Sequence, residues 1–172
     1  MMALIRLVLR LYLEIKKKCI RLNQSHLFLL RKTILNYTLT EEQELLQKTA
    51  RDFAEKHLKP GVIERDEKAE VPLAQMKQLG ELGFMGIMVP EEWNGAGMDT
   101  VSYALAMEEI SRVDASAGVM VSVNNSLVCQ IFLDWANDQQ RNKYLKKLAG
   151  GEWLGAFSLS EPQSGSDASN ML

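Results

Sequence analysis

Between residues 40 and 150, apolar residues recur every three or four positions, which is the period of an amphipathic α-helix. The first such run begins at Thr40. Thr40 and Gln43 have the spacing of a capping box, in which each side chain bonds a free amide of the first turn. Pro60 ends the run, because proline cannot continue a helix. The apolar stripe of this predicted helix consists of Leu45, Leu46, Thr49, Phe53, Ala54 and Leu58.

Four further helices are predicted by the same periodicity. The second ends at Gly83, a natural residue just beyond a helix C-terminus. Its predicted core face consists of Leu73, Met76, Leu79 and Leu82. The bounds predicted for the others are Asp99 or Thr100 to about Arg112, residues 116–136, and Asn137 or Asp138 to Gly150. The chain is therefore predicted to be all-α, a bundle of about five helices, with a long packed or functional connection over residues 84–99.

A period of two appears only at the C-terminal end, in "WLGAFSLS". Ser158 and Ser160 fall on one face of this predicted strand, and Phe157 and Leu159 on the other. A lone strand is not stable, so its partners must come from elsewhere. We therefore divide the chain into residues 1–36, a helical domain over 37–151, and the start of a truncated β domain over 152–172.

Residues 1–36 differ in charge from the rest of the chain. They contain eight basic residues and one acidic residue, which leaves 12 basic and 21 acidic residues beyond them. A basic, acid-poor amphipathic helix at the N-terminus is typical of a mitochondrial transit peptide. A secretory signal or membrane anchor, and an extension with no targeting role, remain open. Charges interrupt every apolar run, so no stable membrane span is expected here.

Several classes of site have little support. The net charge of −2 offers no global attraction for nucleic acid. Cys19 and Cys129 lack ligand spacing, so neither a disulfide framework nor a metal site is expected. The "NGAG" glycines do not follow a strand, which argues against a dinucleotide fingerprint.

Some polar residues have simple structural interpretations. Glu108 is expected to pair with Arg112 at the surface, and His57 to complement a helix C-terminus. Asn124 and Asn125 lie in the most apolar helix and are expected to be hydrogen-bonded within it, more readily than to a ligand.

The stretch "FSLSEPQSGSD" is the most chemistry-like part of the chain. Pro162 and Gly165 predict a turn, and amides near Gly165 could form an anion-binding nest. Asp167 could cap the residues that follow. From these residues alone, an ordinary hydrophilic turn is the simpler interpretation.

Four blocks occur in an order and spacing that resemble the N-terminal part of the acyl-CoA dehydrogenase family. They are "TEEQELLQKTARDFAEKHLKP", "LGFMGIMVPEEWNGAGMD", "YALAMEEISRVDASAGVMVSVNNSL" and "FSLSEPQSGSD". The resemblance covers about residues 38–169 and is greatest to short-chain members. It implies a helical N-terminal domain, a middle β domain and a C-terminal four-helix bundle. It also implies FAD, an acyl-CoA substrate, a homotetramer, and electron-transferring flavoprotein as acceptor in the mitochondrial matrix.

The resemblance also implies roles for particular residues. The flavin-binding segment would be Phe157, Ser158, Leu159, Ser160, Glu161, Pro162, Gln163, Ser164, Gly165 and Ser166. Leu159 and Ser160 would meet the pyrimidine edge of the flavin, and Ser166 the CoA moiety. Val121 and Val123 would lie near the acyl chain.

Gln163 stands where many members have glycine, and Ser160 where many have threonine. The family's catalytic Glu lies beyond residue 172, so no residue here is assigned as base. The chain is therefore expected to be an inactive N-terminal part of such an enzyme. The alternative is a non-catalytic helical protein that only contacts partner subunits.

Overall fold

The computed structural model describes residues 38–170. The proposed transit peptide, residues 1–36, lies outside the described residues. The described part contains six helices in chain order, three of which include π-helical turns with i→i+5 hydrogen bonds. They are α1 (Glu41–Phe53, continued by Ala54–Leu58), α2 (Val62–Lys68), α3 (Leu73–Glu81), α4 (Thr100–Val113), α5 (Ala115–Ser122, Val123–Cys129 and Gln130–Trp135) and α6 (Asp138–Gln140, Arg141–Leu145 and Lys146–Ala149).

The helix starts confirm the capping predictions. Thr40 and Gln43 form the capping box, with bonds of 3.1 and 3.2 Å between each side chain and the other residue's amide. The Asp99 side chain accepts from the Ser102 amide at 2.7 Å to begin α4. Asn137 begins α6 through a second capping box. Each cap satisfies amides that have no partner inside the helix.

Helix α2 has no counterpart in the sequence prediction, because none of its residues is buried and it lacks an apolar stripe. Arg65 ties it to the bundle instead, donating from Nη1 to the Pro60 carbonyl at 2.8 Å and from Nη2 to the Asp114 carboxylate at 3.0 Å. Helix α3 occupies its predicted position, but only Met76 and Leu79 of its predicted core face are buried.

The connection between α3 and α4 is irregular but packed. Phe84, Met85, Ile87 and Val89 are all buried. The chain doubles back on itself, with three backbone bonds of 2.8–2.9 Å: Ala96 to Gly86, Gly97 to Val89, and Met98 to Ile87. A Cβ at Gly95 would lie 1.9 Å from the Val89 carbonyl oxygen, so only glycine fits there.

Helix α5 is partly buried in the bundle and partly exposed. Helix α1 packs against α4, and α4 against α5. By length and composition alone, α5 is long and apolar enough to cross a membrane, with 21 residues and a mean hydropathy of 1.4. Core helices pass the same test, and Asn124 and Asn125 of α5 are buried and bonded to neighbouring segments. Only 39% of this apolar stretch is buried, so α5 is a partly exposed helix that these two asparagines hold against the bundle.

The predicted strand at the C-terminal end is not formed. Residues 153–160 are irregular, and the described part of the chain contains only an isolated bridge between Glu161 and Ser164. A strand needs a neighbour to bond its backbone, and no described segment offers an edge. Just before this segment, Gly151 packs against Gly80 of α3. The two residues are so close that a Cβ on either would lie 2.5–2.6 Å from the other's Cα.

Candidate functional site

Residues 152–160 follow α6 and contact the bundle at a few points. The Trp153 amide donates to the Lys147 carbonyl at 3.1 Å, and the Lys147 ammonium lies 4.5 Å from the Trp153 ring centroid. The Gly155 amide then donates to Asn124 Oδ1 at 2.9 Å. A Cβ at Gly155 would lie 2.7 Å from the Val128 side chain, so the segment runs directly against α5 at this point.

Beyond Gly155 the segment is exposed and unbonded. Residues 156–160 are all exposed, and Phe157 and Leu159 keep 44% and 42% of their surface in contact with solvent. Within residues 38–170, the five amides from Ala156 to Ser160 make no hydrogen bond. A row of free amides on exposed backbone can bind another strand or a ligand with acceptor atoms.

The turn after this segment is held by its own backbone and hydroxyls. Glu161 and Ser164 exchange two backbone bonds of 2.7 and 3.2 Å. Ser164 is buried, and its hydroxyl donates to the Asp167 carbonyl. Ser169 in turn donates to the Asp167 carboxylate at 2.9 Å, at the start of a short 3-10 turn. Ser164 therefore stabilises the turn and has no hydroxyl proton left for a ligand.

Two of the predicted hydroxyls are exposed. Ser160 and Ser166 are exposed, and neither forms a side-chain hydrogen bond within the described residues. A Cβ at Gly165 would lie 3.5 Å from Ser160 Oγ, so the turn closes over Ser160. Ser160 and Gly165 therefore lie close together. Gln163 instead bonds Glu161, with 2.9 Å between Nε2 and the carboxylate.

The two valines predicted near the acyl chain have different surroundings. Val121 is fully buried in the bundle core and presents no surface. Val123 is half-buried and lies in the π-helical turn Val123–Cys129. On the same helix, Val119 and Leu127 keep 61% and 40% of their surface exposed. Helix α5 therefore has an apolar exposed side to which Val123 is nearer than Val121.

The buried carboxylate of α4 is already paired. Glu109 is buried and accepts from Arg51, with 2.9 Å between Nε and Oε2. The hydrogen bond from Arg51 holds the pKa of Glu109 below its ordinary value, with a further contribution from Arg112. The prediction that Arg112 pairs with Glu108 is wrong. Arg112 instead reaches Glu109 at 3.4 Å and Glu55, on α1, at 3.2 Å.

Other reactive groups are structural. Burial raises the pKa of the Cys129 thiol to about 12, so the thiol stays protonated. His57 stacks on Phe53, with 4.9 Å between ring centroids, in the last turn of α1. Within the described residues, no cluster of three His, Cys, Asp or Glu side chains could hold a metal ion.

The sequence interpretation missed one residue of this site. Asn124 was expected to be hydrogen-bonded inside the helical core, which is confirmed. Its bond to Gly155 was not expected, since 31 residues separate the two. The available signal was an asparagine in a strongly apolar helix, which must find partners somewhere in the fold.

The fold and the exposed segment define a helical domain that ends in an unpaired Ser/Gly-rich edge. Residues 40–152 match the domain described as "Acyl-CoA dehydrogenase, N-terminal domain". Because this match covers more than half of the chain, the protein belongs to the acyl-CoA dehydrogenase family.

Individual relatives are similar over the same region. The short-chain specific mitochondrial acyl-CoA dehydrogenase of Bos taurus is 47% identical over 130 residues, which is 76% of this chain and 32% of that protein. An acyl-CoA dehydrogenase of Bacillus subtilis is 45% identical over 133 residues, 77% of this chain and 35% of that protein. This chain therefore spans about a third of the length of these curated relatives.

Solved structures agree with the fold. Butyryl-CoA dehydrogenase from Megasphaera elsdenii superimposes with a TM-score of 0.74 at 36% identity, over 80% of this chain and 37% of that one. An acyl-CoA dehydrogenase from Bacillus anthracis, solved with FAD, gives a TM-score of 0.70 at 36% identity, over 77% and 23% of the two chains.

Proposed function

We propose that this chain forms the N-terminal part of an FAD-dependent dehydrogenase of short-chain or short branched-chain acyl-CoA. Its residues Phe157 to Ser166 would supply one edge of the flavin and CoA site. The observation that carries this proposal is the row of five exposed, unbonded amides from Ala156 to Ser160. Support also comes from the Bacillus anthracis relative, whose structure holds FAD.

The residues present fit a flavin in two respects. The free amides of Leu159 and Ser160 can donate to acceptor atoms at the edge of a flavin ring. The Ser160 hydroxyl is exposed, has no other hydrogen-bond partner among the described residues, and lies beneath Gly165. When bound, FAD supplies the hydride-accepting chemistry, while these groups orient it and stabilise added negative charge. We propose that Ser166, which is also exposed, donates to the CoA moiety.

For the acyl chain we propose Val123 as the contacting residue, with support from its half-buried position on the exposed apolar side of α5. We do not propose that Val121 contacts the acyl chain directly. It is fully buried, so it contributes by holding the helix in place.

We place the base that removes the α proton outside residues 38–170. Glu109 is held ionised by Arg51, and Glu161 bonds Gln163 in the exposed turn. The chain covers only 32% of the Bos taurus relative, which leaves most of such an enzyme's site to other residues. We therefore propose that these 172 residues alone do not turn over substrate. A missing general base costs about 10²–10⁴-fold in rate.

Partners and location are further proposals by relationship. They comprise a homotetramer, electron-transferring flavoprotein as acceptor, and the mitochondrial matrix. Mammalian relatives are named as mitochondrial, while a Bacillus subtilis relative has similar identity, so location depends on residues 1–36. Incubation of the full chain with isolated mitochondria tests this. Protected import with cleavage near residues 30–37 is expected, and a chain left outside and uncut would contradict it.

A second candidate is a non-catalytic helical protein that only contacts partner subunits. It is favoured by apolar side chains left exposed, of which Trp135 is the most exposed at 84%. Such surfaces mark interaction sites in many proteins. This candidate predicts binding to protein partners with no affinity for flavin.

Flavin titration of the full chain distinguishes the two. We expect FAD fluorescence to show saturable binding, and butyryl-CoA with an artificial electron acceptor to show no turnover. Leu159→Pro removes one free amide from extended backbone and should weaken FAD binding about tenfold, equivalent to about 1.4 kcal/mol. Ala156→Pro is the matched control, because its amide is also free but lies outside the proposed binding segment.

Each result has a defined meaning. No FAD binding at millimolar FAD would overturn the flavin-site proposal and favour the second candidate. Equal weakening by both proline variants would overturn the assignment of Leu159. Turnover of butyryl-CoA by the chain alone would overturn the placement of the base.

A further inference from the structure

Asn124 is the one side chain of α5 that bonds three separate segments. It is fully buried in the π-helical turn Val123–Cys129. Its Nδ2 donates to the Met85 carbonyl at 2.7 Å and to the Leu148 carbonyl at 3.1 Å. Its Oδ1 accepts from the Gly155 amide at 2.9 Å. The side-chain amide thus uses both of its protons and one acceptor site on groups far apart in sequence.

Gly155 is held at this point from two sides. Besides the bond to Asn124, it lies against Val128, four residues further along α5, where an added Cβ would come within 2.7 Å. The next five amides of the chain have no partner within the described residues. The Asn124–Gly155 bond is therefore the last backbone hydrogen bond from this segment to the bundle before the turn at Glu161.

We infer that Asn124 is a positioning residue, which sets where residues 156–160 lie relative to α5. This inference rests on the proposed function, in which residues 157–160 of this stretch border the flavin. Val123, the proposed acyl-chain contact, is the neighbouring residue of the same π-helical turn. One buried side chain would then fix the spacing between the acyl-chain wall and the flavin edge, and a bound acyl chain and flavin would depend on that spacing for a reactive geometry.

Asn125 provides a matched control in the adjacent position. It is also buried, and it also makes three bonds: from the Ile87 amide at 2.8 Å, and to the carbonyls of Phe84 and Val121 at 2.9 Å each. All three partners lie within the bundle, and none belongs to residues 152–160. Loss of Asn125 should weaken the bundle without releasing Gly155 selectively.

The first experiment measures amide hydrogen exchange by NMR in the full chain, with Asn124→Ala and Asn125→Ala compared below the melting temperature of both. In Asn124→Ala, exchange at Gly155 should be at least tenfold faster relative to core amides of α4. In Asn125→Ala, that ratio should stay within twofold of the parent chain. Equal acceleration at Gly155 in both variants would overturn the inference.

The second experiment measures FAD affinity of the same proteins. Asn124→Ala should bind FAD at least fivefold more weakly than Asn125→Ala. Gly155→Ala guards against failure of the first variant to fold, since it leaves both asparagines intact and displaces the segment from Val128. It should weaken FAD binding by a similar factor. FAD affinity equal to the parent in Gly155→Ala would count against the inference.

The two proposals fail in different ways. If the parent chain binds no FAD, the proposed function fails, while Gly155 exchange still reports whether Asn124 positions the segment. If the parent binds FAD and the two alanine variants bind it equally, the function stands and the role of Asn124 is wrong.

Discussion

The connection over residues 84–98 and the segment over residues 153–160 are both irregular, and both are bonded to the asparagine pair of α5. In the connection, Phe84 and Val89 are buried and the backbone bonds itself. In the segment, Phe157 and Leu159 are exposed and five amides are free. The connection therefore satisfies its own backbone and needs no further partner. The segment, by contrast, has the properties of a surface that another molecule or segment completes.

The largest loss of stability is expected for Gly95→Ala. The added Cβ would overlap the Val89 carbonyl oxygen, so the connection must move, at a cost of about 3 kcal/mol in unfolding free energy. Urea denaturation measures it. Gly165→Ala is the control from the exposed turn, where the nearest atom, Ser160 Oγ, is 3.5 Å away, and should change stability by less than about 0.5 kcal/mol. Equal effects would mean that the two regions are packed alike.

The next effect is expected for Asn125→Ala. It leaves the Ile87 amide buried without a partner and removes two further bonds, at a cost of about 2–3 kcal/mol. Ser166→Ala, which removes an exposed hydroxyl with no hydrogen-bond partner among the described residues, should cost less than about 0.5 kcal/mol. Thermal unfolding followed by circular dichroism compares them. A loss below 1 kcal/mol for Asn125→Ala would show that the connection does not depend on it.

The stability of the bundle, and not that of the segment, is expected to depend on pH. The bond from Arg51 lowers the pKa of Glu109 from its ordinary 4.5, so its stabilisation is present above that pH and is lost as pH falls through the lowered pKa. Glu109→Gln should cost about 2 kcal/mol at pH 7 and progressively less in acid. Unfolding free energies from pH 7 to 3 check this, and a pH-independent difference between the two proteins would contradict it.

The smallest effect is expected in the exposed segment itself. Phe157→Ser removes a side chain that keeps 44% of its surface exposed and should change stability by less than about 0.5 kcal/mol. Val89→Ala, in the packed connection, should cost about 2 kcal/mol by the same measurement. A large loss in Phe157→Ser would show that the segment already belongs to the core.

The helices were predictable where capping and periodicity agree. Thr40, Asp99 and Asn137 all begin helices as expected, and Gly83 follows α3 with a φ of 83°. Helix α2 was not predictable, because none of its residues is buried and its link to the bundle is the bond from Arg65 to Asp114. The strand predicted over residues 153–160 is not formed. Its apolar and polar residues alternate as in a strand, but alternation does not supply a partner strand.

The candidate site was predictable only in part. The motif over residues 157–166 is one of four blocks that carry the family resemblance, and its roles remain predictions. The partner of Arg112 was wrong because i,i+4 spacing ignores which carboxylate is turned toward a neighbouring helix, as Glu109 is toward Arg51. The link between Asn124 and Gly155 depends on how three distant segments meet, which no local pattern contains.

The contact between Gly80 and Gly151 limits how the sequence of this domain can drift. Each residue faces the other's backbone at a distance that no side chain can occupy. A change at either position cannot be compensated at the other, because glycine is already the smallest residue. In a library randomised at both positions and selected for folding, only the glycine pair should survive in quantity. Any other survivor must have moved the end of α3 away from the turn that follows α6, and with it the origin of the exposed segment.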